Sequence, residues 1–275
     1  MDRKSPQGLE STTTLNRGLP VSAPVVMARE PSEERAFAAG ELVAGRYRVE
    51  RFIARGGMGE VYAAEDLSLN ERVALKAIRP TLAATPEALL RFKRELRLAR
   101  RVTHANVCRV FDIGEHGAPS PLLFFTMELL VGRTLHEYLV QQGRLPPEQV
   151  LRLAEQMAAA LDAAHAAQIV HRDFKSGNVM LVPTAAAPGG VRAVVTDFGL
   201  ARGEVLQEDG SVSQESYFQG SPAYMSPEQV EGRPLSLASD LYSFGVVLFP
   251  LSTTCLRMSC MAGKSVPTSC QPRLL

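Results

Sequence analysis

The sequence predicts an α+β fold in two lobes, the first built mainly from strands and the second mainly from helices. One early stretch, Tyr47 to Ile53, alternates apolar and polar residues as a half-buried strand does, and two further strands are predicted at Glu60 to Glu65 and Arg72 to Ile78. Farther along, residues 147–167 form a long run rich in Ala and Leu, which favours a helix. A chain of 275 residues is long enough for two lobes with a sizeable core.

A helix is predicted soon after the third strand, because Thr85 offers a capping hydroxyl and Pro86 follows at the first helical position. Its apolar face is expected to carry the residues at helical spacing, Leu89, Phe92, Leu96 and Ala99. The remaining predicted strands are Leu122 to Glu128, Ile169-Val170, Val179 to Val182 and Val191 to Val195.

The two ends of the chain differ in composition from the part between them. Residues 1–43 carry four prolines and a Ser/Thr run, so they are predicted to be a disordered leader. This leader is either a solvated segment without a role or a regulatory or docking tail. Residues 250–275 hold three of the four cysteines and no acid, and they lack helical and strand periodicity. We expect them to be an atypical tail.

Charge and hydropathy exclude several classes of protein. The formal net charge of +1 excludes a strongly basic nucleic-acid-coating protein, so no nucleic-acid partner is expected. No apolar run approaches the ~20 residues of a membrane span, and no secretory signal opens the chain. The cysteines form no CxxC pair, which fits a reducing compartment and predicts a cytoplasmic location.

Glycines cluster between the first two predicted strands, in the stretch Ile53-Ala54-Arg55-Gly56-Gly57-Met58-Gly59-Glu60-Val61. Glycines allow a tight turn and bring backbone N–H groups close to phosphate oxygens, although such hairpins are commonly only turns. A strand follows the glycines, so the stretch is not a dinucleotide-binding βα turn. It also lacks the Gly-Lys-Ser/Thr of a Walker A loop.

Two charged residues fall on inward faces. Lys76 lies inside the apolar strand Val73-Ala74-Leu75-Lys76, where a lysine could simply extend to the surface. Glu95 lies on or beside the apolar face of the predicted helix, where an unpaired carboxylate is costly. Either residue alone is ambiguous, but together they would satisfy one another.

Polar residues are concentrated in two further stretches. Directly after Ile169-Val170 comes His171-Arg172-Asp173-Phe174-Lys175-Ser176-Gly177-Asn178, and Asp197-Phe198-Gly199 follows a later strand. Each stretch alone could be a polar turn. Their order, after a glycine-rich hairpin and an Ala-x-Lys strand, makes chance a poor explanation.

Together these pieces resemble a bacterial protein kinase of the eukaryotic, or Hanks-type, Ser/Thr class. The resemblance runs from about Tyr47 to about Phe249, and also rests on Ser226-Pro227-Glu228 and on Ser239 to Gly245. It implies a bilobal protein-kinase-like fold, with an N-lobe at 44–130 and a C-lobe at 131–249 that ends early. It also implies ATP and Mg²⁺ as cofactors.

The resemblance places ATP between the lobes. Lys76 would contact the α and β phosphates, held by Glu95. The loop residues that would cover the phosphates are Ala54, Gly56, Gly57 and Gly59. The residues that would surround adenine are Ile53, Val61, Ala74 and Met180, with Met127 as gatekeeper and Glu128 to Leu130 as hinge.

It also assigns the chemistry. Asp173 would accept the proton of the substrate hydroxyl, and Lys175 would offset charge on the transferring phosphoryl group. Asn178 and Asp197 would bind Mg²⁺. Lys175 and Gly220-Ser221 fit the Ser/Thr kinases, so protein substrates with Ser or Thr hydroxyls are expected.

The family also suggests regulation. Arg172 would pair with a phosphate on the activation loop, and Ser213 or Ser216 is the predicted site of self-phosphorylation.

Some residues depart from the family pattern. Ala54 replaces the first loop glycine and Ser176 replaces a proline, and both changes look tolerable. The atypical tail stands where the family continues with helices that complete the C-lobe. We therefore expect Glu228 to lack its arginine and some apolar side chains to lie open, namely Leu241, Phe244, Val247 and Leu248. The chain would then be poorly folded and weakly active. The alternative function is a nucleotide-binding or scaffold fragment without phosphotransfer.

Overall fold

The computed structural model describes residues 35–117, 121–198 and 222–252. The first part is an antiparallel six-stranded sheet in the order β1-β2-β3-β4-β6-β5. Its strands are β1 Leu42–Val43, β2 Tyr47–Gly56, β3 Gly59–Asp66, β4 Glu71–Ile78, β5 Val110–His116 and β6 Leu122–Glu128. Helix α1, Pro86–Ala99, lies between β4 and β5 in the chain. The predicted strand-rich first lobe is thus present.

The predicted cap and apolar face of α1 are both confirmed. Thr85 Oγ1 accepts a hydrogen bond from the Ala88 N–H at 3.1 Å, and Pro86 occupies the first turn. Phe92, Leu96 and Ala99 are buried on the predicted face. They pack with residues of β4, β5 and β6, so α1 is fixed against one face of the sheet.

The second part is mainly helical. Its helices are α2 Leu135–Gln142, α3 Pro147–Ala166, α4 Pro227–Val230 and α5 Leu237–Ser252. A small antiparallel sheet joins β7 Arg133–Thr134, β8 Val179–Pro183 and β9 Val191–Val195 in the order β7-β8-β9. One core contains Leu153, Met157 and Leu161 of α3 together with Val247 and Leu251 of α5.

The strand predicted at Ile169-Val170 is wrong. Helix α3 ends just before it, and Gln168 adopts a positive φ of 59° that turns the chain away from the helix. The Ile169 N–H then donates to Ala164 O at 2.9 Å, a bond back to the helix end. Burial of Ile169 in the core explains its apolar character without a strand.

Helix α5 is better covered than the sequence suggested. Val247 is fully buried, and Phe244 and Leu248 are partly buried against the core. Leu241 is 57% exposed, as expected for an open position. The helix also continues to Ser252, three residues past the predicted boundary at 249. Across the described ranges, no helix combines the length and the apolar character that crossing a membrane requires.

Candidate active site

The glycine-rich stretch forms the tip of the β2–β3 hairpin. Gly56 pairs with Gly59, which leaves Gly57 and Met58 at the turn. A Cβ on Gly59 would lie 1.8 Å from Ala77 O of β4, and its φ is +149°, so only glycine fits there. Ala54 pairs with Val61 and stays outside the left-handed region, which agrees with the expectation that its methyl group is tolerated.

The predicted adenine-site residues lie on neighbouring strands. Val61 of β3 pairs with Lys76 of β4, and Ala74 of β4 pairs with Met127 of β6. Met127 and Glu128 end β6, directly before the Leu129-Leu130 segment that leads into the second lobe. Met180 lies on β8. Ile53, near the end of β2, is 39% exposed.

Lys76 connects the two lobes. Its side chain is only 6% exposed, and Nζ lies 2.5 Å from Oδ1 of Asp197. Burial acts to raise the pKa of Asp197, but the nearby Lys76 ammonium outweighs it and holds that pKa below its usual value. The structure therefore brings together two predicted site residues that are 121 positions apart in the sequence.

Glu95 has a partner that the sequence did not indicate. The predicted arrangement pairs Glu95 with Lys76, whereas the structure pairs Glu95 Oε1 with Arg172 Nη1 at 2.7 Å. Arg172 is the residue predicted to form an ion pair with a phosphate group on the activation loop. The guanidinium is 32% exposed and the carboxylate 18% exposed, so this contact lies at the edge of the site.

The polar stretch His171 to Asn178, here named the catalytic loop, gathers its side chains around Asp173. Lys175 Nζ lies 2.6 Å from Asp173 Oδ2. Asn178 Nδ2 donates to Asp173 O at 2.8 Å and to Oδ2 at 3.2 Å. The 3₁₀ turn Ser176–Asn178 produces this geometry by returning the chain beneath the aspartate. Asp173, Lys175 and Asn178 thus form one polar cluster.

A buried aspartate anchors this loop. Asp240 of α5 is 1% exposed and accepts the N–H groups of His171 at 2.7 Å and Arg172 at 2.9 Å. His165 Nε2 lies 2.8 Å from the same carboxylate. Asp240 belongs to the stretch Ser239 to Gly245, which carries the family resemblance, but the sequence assigns it no role. No local pattern reveals these contacts, because the partners lie about 70 positions apart.

Two backbone positions in the site are strained. Arg172 has a φ of 68° and Asp197 a φ of 62°, a region that residues with a Cβ rarely occupy. Aromatic packing lies between them: the rings of His171 and Phe198 are 4.6 Å apart, and His171 is fully buried. Burial lowers the pKa of His171 below its ordinary value of 6.5, so the imidazole stays neutral.

The segment after the undescribed residues 199–221 also contacts the catalytic loop. Gln229 Nε2 donates to Arg172 O at 2.7 Å, and the hydroxyls of Ser176 and Tyr224 are 2.9 Å apart. Ser176, which replaces the proline of the family, therefore forms a hydrogen bond through its hydroxyl group. Glu228 is not buried, and Ser239 Oγ donates to its carboxylate. The expected cost of a buried, unpartnered Glu228 does not arise.

The donor atoms suit a magnesium ion. Asp197 offers a carboxylate and Asn178 an amide oxygen, since the amide nitrogen already donates to Asp173. These are the hard oxygen ligands that Mg²⁺ prefers. Within the described ranges no group of three His, Cys, Asp or Glu could hold a metal, so further ligands would come from water or phosphate. Gly199, Ser213, Ser216 and Gly220-Ser221 lie outside the described residues.

A glycine-rich hairpin, a buried Lys–Asp pair between lobes and an Asp-Lys-Asn cluster occur together in one chain. The protein kinase domain model matches residues 47–266. The chain belongs to the protein kinase family. The match starts at the predicted boundary Tyr47 and extends 17 residues past the predicted domain end at residue 249.

Bacterial kinases are among the relatives of this chain. It is 40% identical over 215 residues to the serine/threonine-protein kinase pkn3 of Myxococcus xanthus, covering 78% of this chain and 39% of pkn3. It is 39% identical to PknA of Mycobacterium tuberculosis, covering 76% of this chain and 47% of PknA. It is 37% identical to PrkC of Bacillus subtilis, covering 78% and 31%. The chain thus spans less than half the length of these relatives.

A solved structure agrees with the fold. The crystal structure of the M. tuberculosis PknI kinase domain matches with a TM-score of 0.62 and 29% identity, covering 78% of this chain and 77% of that one. The predicted α+β, bilobal kinase fold is confirmed.

Proposed function

We propose that this kinase transfers the γ-phosphoryl group of ATP to Ser or Thr hydroxyls of proteins, including its own. The observation that carries the proposal is the connected polar cluster of Asp173, Lys175 and Asn178, together with the Lys76–Asp197 pair. Named relatives that are serine/threonine-protein kinases favour transfer over a scaffold role. We further propose a cytoplasmic location, consistent with the composition and the cysteine pattern.

The residues divide the chemistry among them. ATP with Mg²⁺ supplies the phosphoryl group and positive charge at its oxygens. Asp173 accepts the proton of the attacking hydroxyl as the new O–P bond forms and the bond between the γ-phosphorus and the bridging oxygen of ADP breaks, so that ADP leaves. Lys175, 2.6 Å from Asp173, offsets negative charge on the transferring group. Asn178 fixes the orientation of Asp173 through its two hydrogen bonds.

We also propose that a phosphate on Ser213 or Ser216 competes with Glu95 for Arg172. A phosphate makes stronger, bidentate contacts with a guanidinium than a carboxylate at the surface does. Arg172 is accessible enough to change partner, since its side chain is 32% exposed. Glu95 would then be released towards Lys76, the arrangement that the family resemblance implies.

Phosphate transfer from radiolabelled ATP tests the proposed reaction. The acceptors are the kinase itself and a generic basic protein, followed by identification of the labelled residue. Lys76→Met and Asp173→Asn should each lower transfer by about 10²-fold or more. Lys93→Met and Asp162→Asn are matched controls, because Lys93 pairs with Glu115 on the surface and Asp162 is exposed.

Three results would contradict the proposal. Equal labelling by all variants would show that these residues do not carry the reaction. Label on tyrosine alone would refute the Ser/Thr assignment. A rise in melting temperature with Mg-ATP, but no transfer, would favour the nucleotide-binding scaffold.

A further inference from the structure

Residues 35–41 lie upstream of the family match, which begins at Tyr47, yet they are fixed to the sheet. Phe37 is 3% exposed, and its ring lies 5.6 Å from that of Tyr62 and 5.8 Å from that of His116. Arg35 is stacked 4.6 Å from the Phe52 ring. This short segment, here named the strap, therefore packs as part of the first lobe.

Backbone hydrogen bonds hold the strap along β2. The Gly40 N–H donates to Val49 O at 2.8 Å, and the Val49 N–H donates to Glu41 O at 2.9 Å. Reciprocal backbone bonds of this kind set the position of a segment with little dependence on side chains. Together with the buried Phe37, they give the strap one defined position on the sheet.

Glu60 joins the strap to the glycine-rich hairpin. Its Oε2 accepts the Ala36 N–H at 2.8 Å and the hydroxyl of Tyr62, which itself accepts the Phe37 N–H at 3.2 Å. Its Oε1 accepts Arg55 Nε at 2.7 Å. One oxygen of this carboxylate thus accepts hydrogen bonds from the strap and from Tyr62, and the other accepts a hydrogen bond from Arg55 of the hairpin.

Glu60 is buried, so its carboxylate requires several hydrogen-bond donors. The side chain is 10% exposed, and a buried carboxylate is costly unless several donors satisfy it. Burial acts to raise the pKa of Glu60, but hydrogen bonds from Tyr62, Ala36 and Arg55 outweigh it and keep that pKa below its usual value. The charged carboxylate therefore needs donors from both the strap and the hairpin.

Glu60 lies next to the tip of the glycine-rich hairpin. Arg55 and Glu60 are direct cross-strand partners, and the next pair towards the tip is Gly56 and Gly59. The Arg55–Glu60 contact therefore closes the base of the turn whose N–H groups face phosphates in this family. A hairpin held in one conformation loses less entropy when it binds a ligand.

We propose that Glu60 is a positioning residue for the glycine-rich hairpin and that the strap, through Ala36 and Phe37, holds Glu60 in place. The strap is thus a functional part of the ATP site although it precedes the kinase domain match. The inference rests on the proposed function for its effect on ATP. Its structural half is that the strap orders the hairpin tip, and this effect does not depend on bound nucleotide.

Amide hydrogen exchange in the full chain without nucleotide tests the structural half. Glu60→Gln and Phe37→Ala should speed exchange at residues 54–61 while β4 keeps its protection, because the opening is local. Glu65→Gln is the matched control: Glu65 pairs with Arg48 across the same two strands, farther from the tip. Tip exchange equal to that of Glu65→Gln would overturn the proposal, as would a loss of protection spread evenly over the sheet.

Steady-state kinetics test the functional half. Glu60→Gln should raise KM for ATP by roughly 3- to 10-fold, the effect of losing one hydrogen-bonded charge contact. Both kcat and KM for the protein acceptor should stay within about twofold, because the lost contact acts on nucleotide binding. A KM for ATP equal to that of Glu65→Gln would also overturn the proposal. A wild-type chain without transfer would refute the proposed function instead, and hydrogen exchange alone would then decide the role of the strap.

Discussion

The catalytic loop and helix α1 both bring charged side chains to the active site, but the structure holds them by different means. The loop is tied through its backbone, since the N–H groups of His171 and Arg172 donate to the buried Asp240. Helix α1 reaches the site through the end of one long side chain, Glu95, which meets Arg172 at 2.7 Å where both are partly exposed.

The two kinds of contact differ in how much free energy is lost when they break. Moving the loop would leave two N–H groups without their acceptor and the buried Asp240 carboxylate without two of its donors, which is costly. Separating two partly exposed side chains costs little, because water replaces the lost partner. The loop should therefore be energetically stiff, and the partner of Glu95 should be exchangeable.

Removal of Asp240 should have the largest effect. Asp240→Ala leaves His165 and the backbone donors of His171 and Arg172 unsatisfied, and should lower the free energy of unfolding by about 3–5 kcal/mol. Urea unfolding measures this loss. Asp162→Ala, an exposed aspartate on α3, is the control and should cost less than about 0.5 kcal/mol. Equal losses in the two variants would contradict the anchoring role of Asp240.

The pH dependence of stability should report the burial of His171. Its pKa is lowered in the folded chain, so below the ordinary value of 6.5 the unfolded chain binds a proton that the folded chain does not. The free energy of unfolding should therefore fall as pH drops below 6.5, because the unfolded chain then binds the proton more readily than the folded chain does.

His171→Gln should remove that contribution from the slope, whatever it does to stability at neutral pH. His136→Gln, an exposed histidine on α2, controls for the loss of an imidazole. The measurement is urea unfolding at a series of pH values on either side of 6.5. A slope unchanged by His171→Gln would show that His171 is not held neutral in the folded chain.

Most of the fold could be predicted because its patterns are local. Strands with a period of two and a capped helix with one apolar face are visible in the sequence. Strand β5 is not among the predicted strands; Gly114 lies inside it, and a glycine within a strand pattern suggests a break. The structure gives the reason for that glycine: a Cβ there would lie 2.5 Å from the Phe124 ring. Helix α2 was also missed, although Thr134 and Glu137 form a readable capping box.

The sequence singled out the polar residues of the candidate site, but it did not predict all of the contacts between them. Asp173, Lys175 and Asn178 lie within six positions, so a short turn brings them together. The partners of Lys76 and Glu95 depend on how helix α1 and the two lobes are placed, which no local pattern records. Glu60 was equally hidden, because its role depends on a segment 24 positions earlier in the chain.

The smallest expected effect concerns the Glu95–Arg172 pair. A double-mutant cycle with Glu95→Gln and Arg172→Gln should give a coupling free energy of about 0.5–1 kcal/mol in urea unfolding, because the pair is only partly exposed. The control cycle combines Lys93→Gln with Glu115→Gln. This ion pair joins α1 to β5 at 2.6 Å on a more exposed surface and should give a smaller coupling free energy.

A third cycle combines Lys76→Met with Glu95→Gln. Its coupling free energy should be smaller than that of Glu95 and Arg172 before self-phosphorylation, and larger after it. A stronger Lys76–Glu95 coupling in the unphosphorylated chain would show that Glu95 already has the partner the family implies, and the proposed exchange through Arg172 would be wrong.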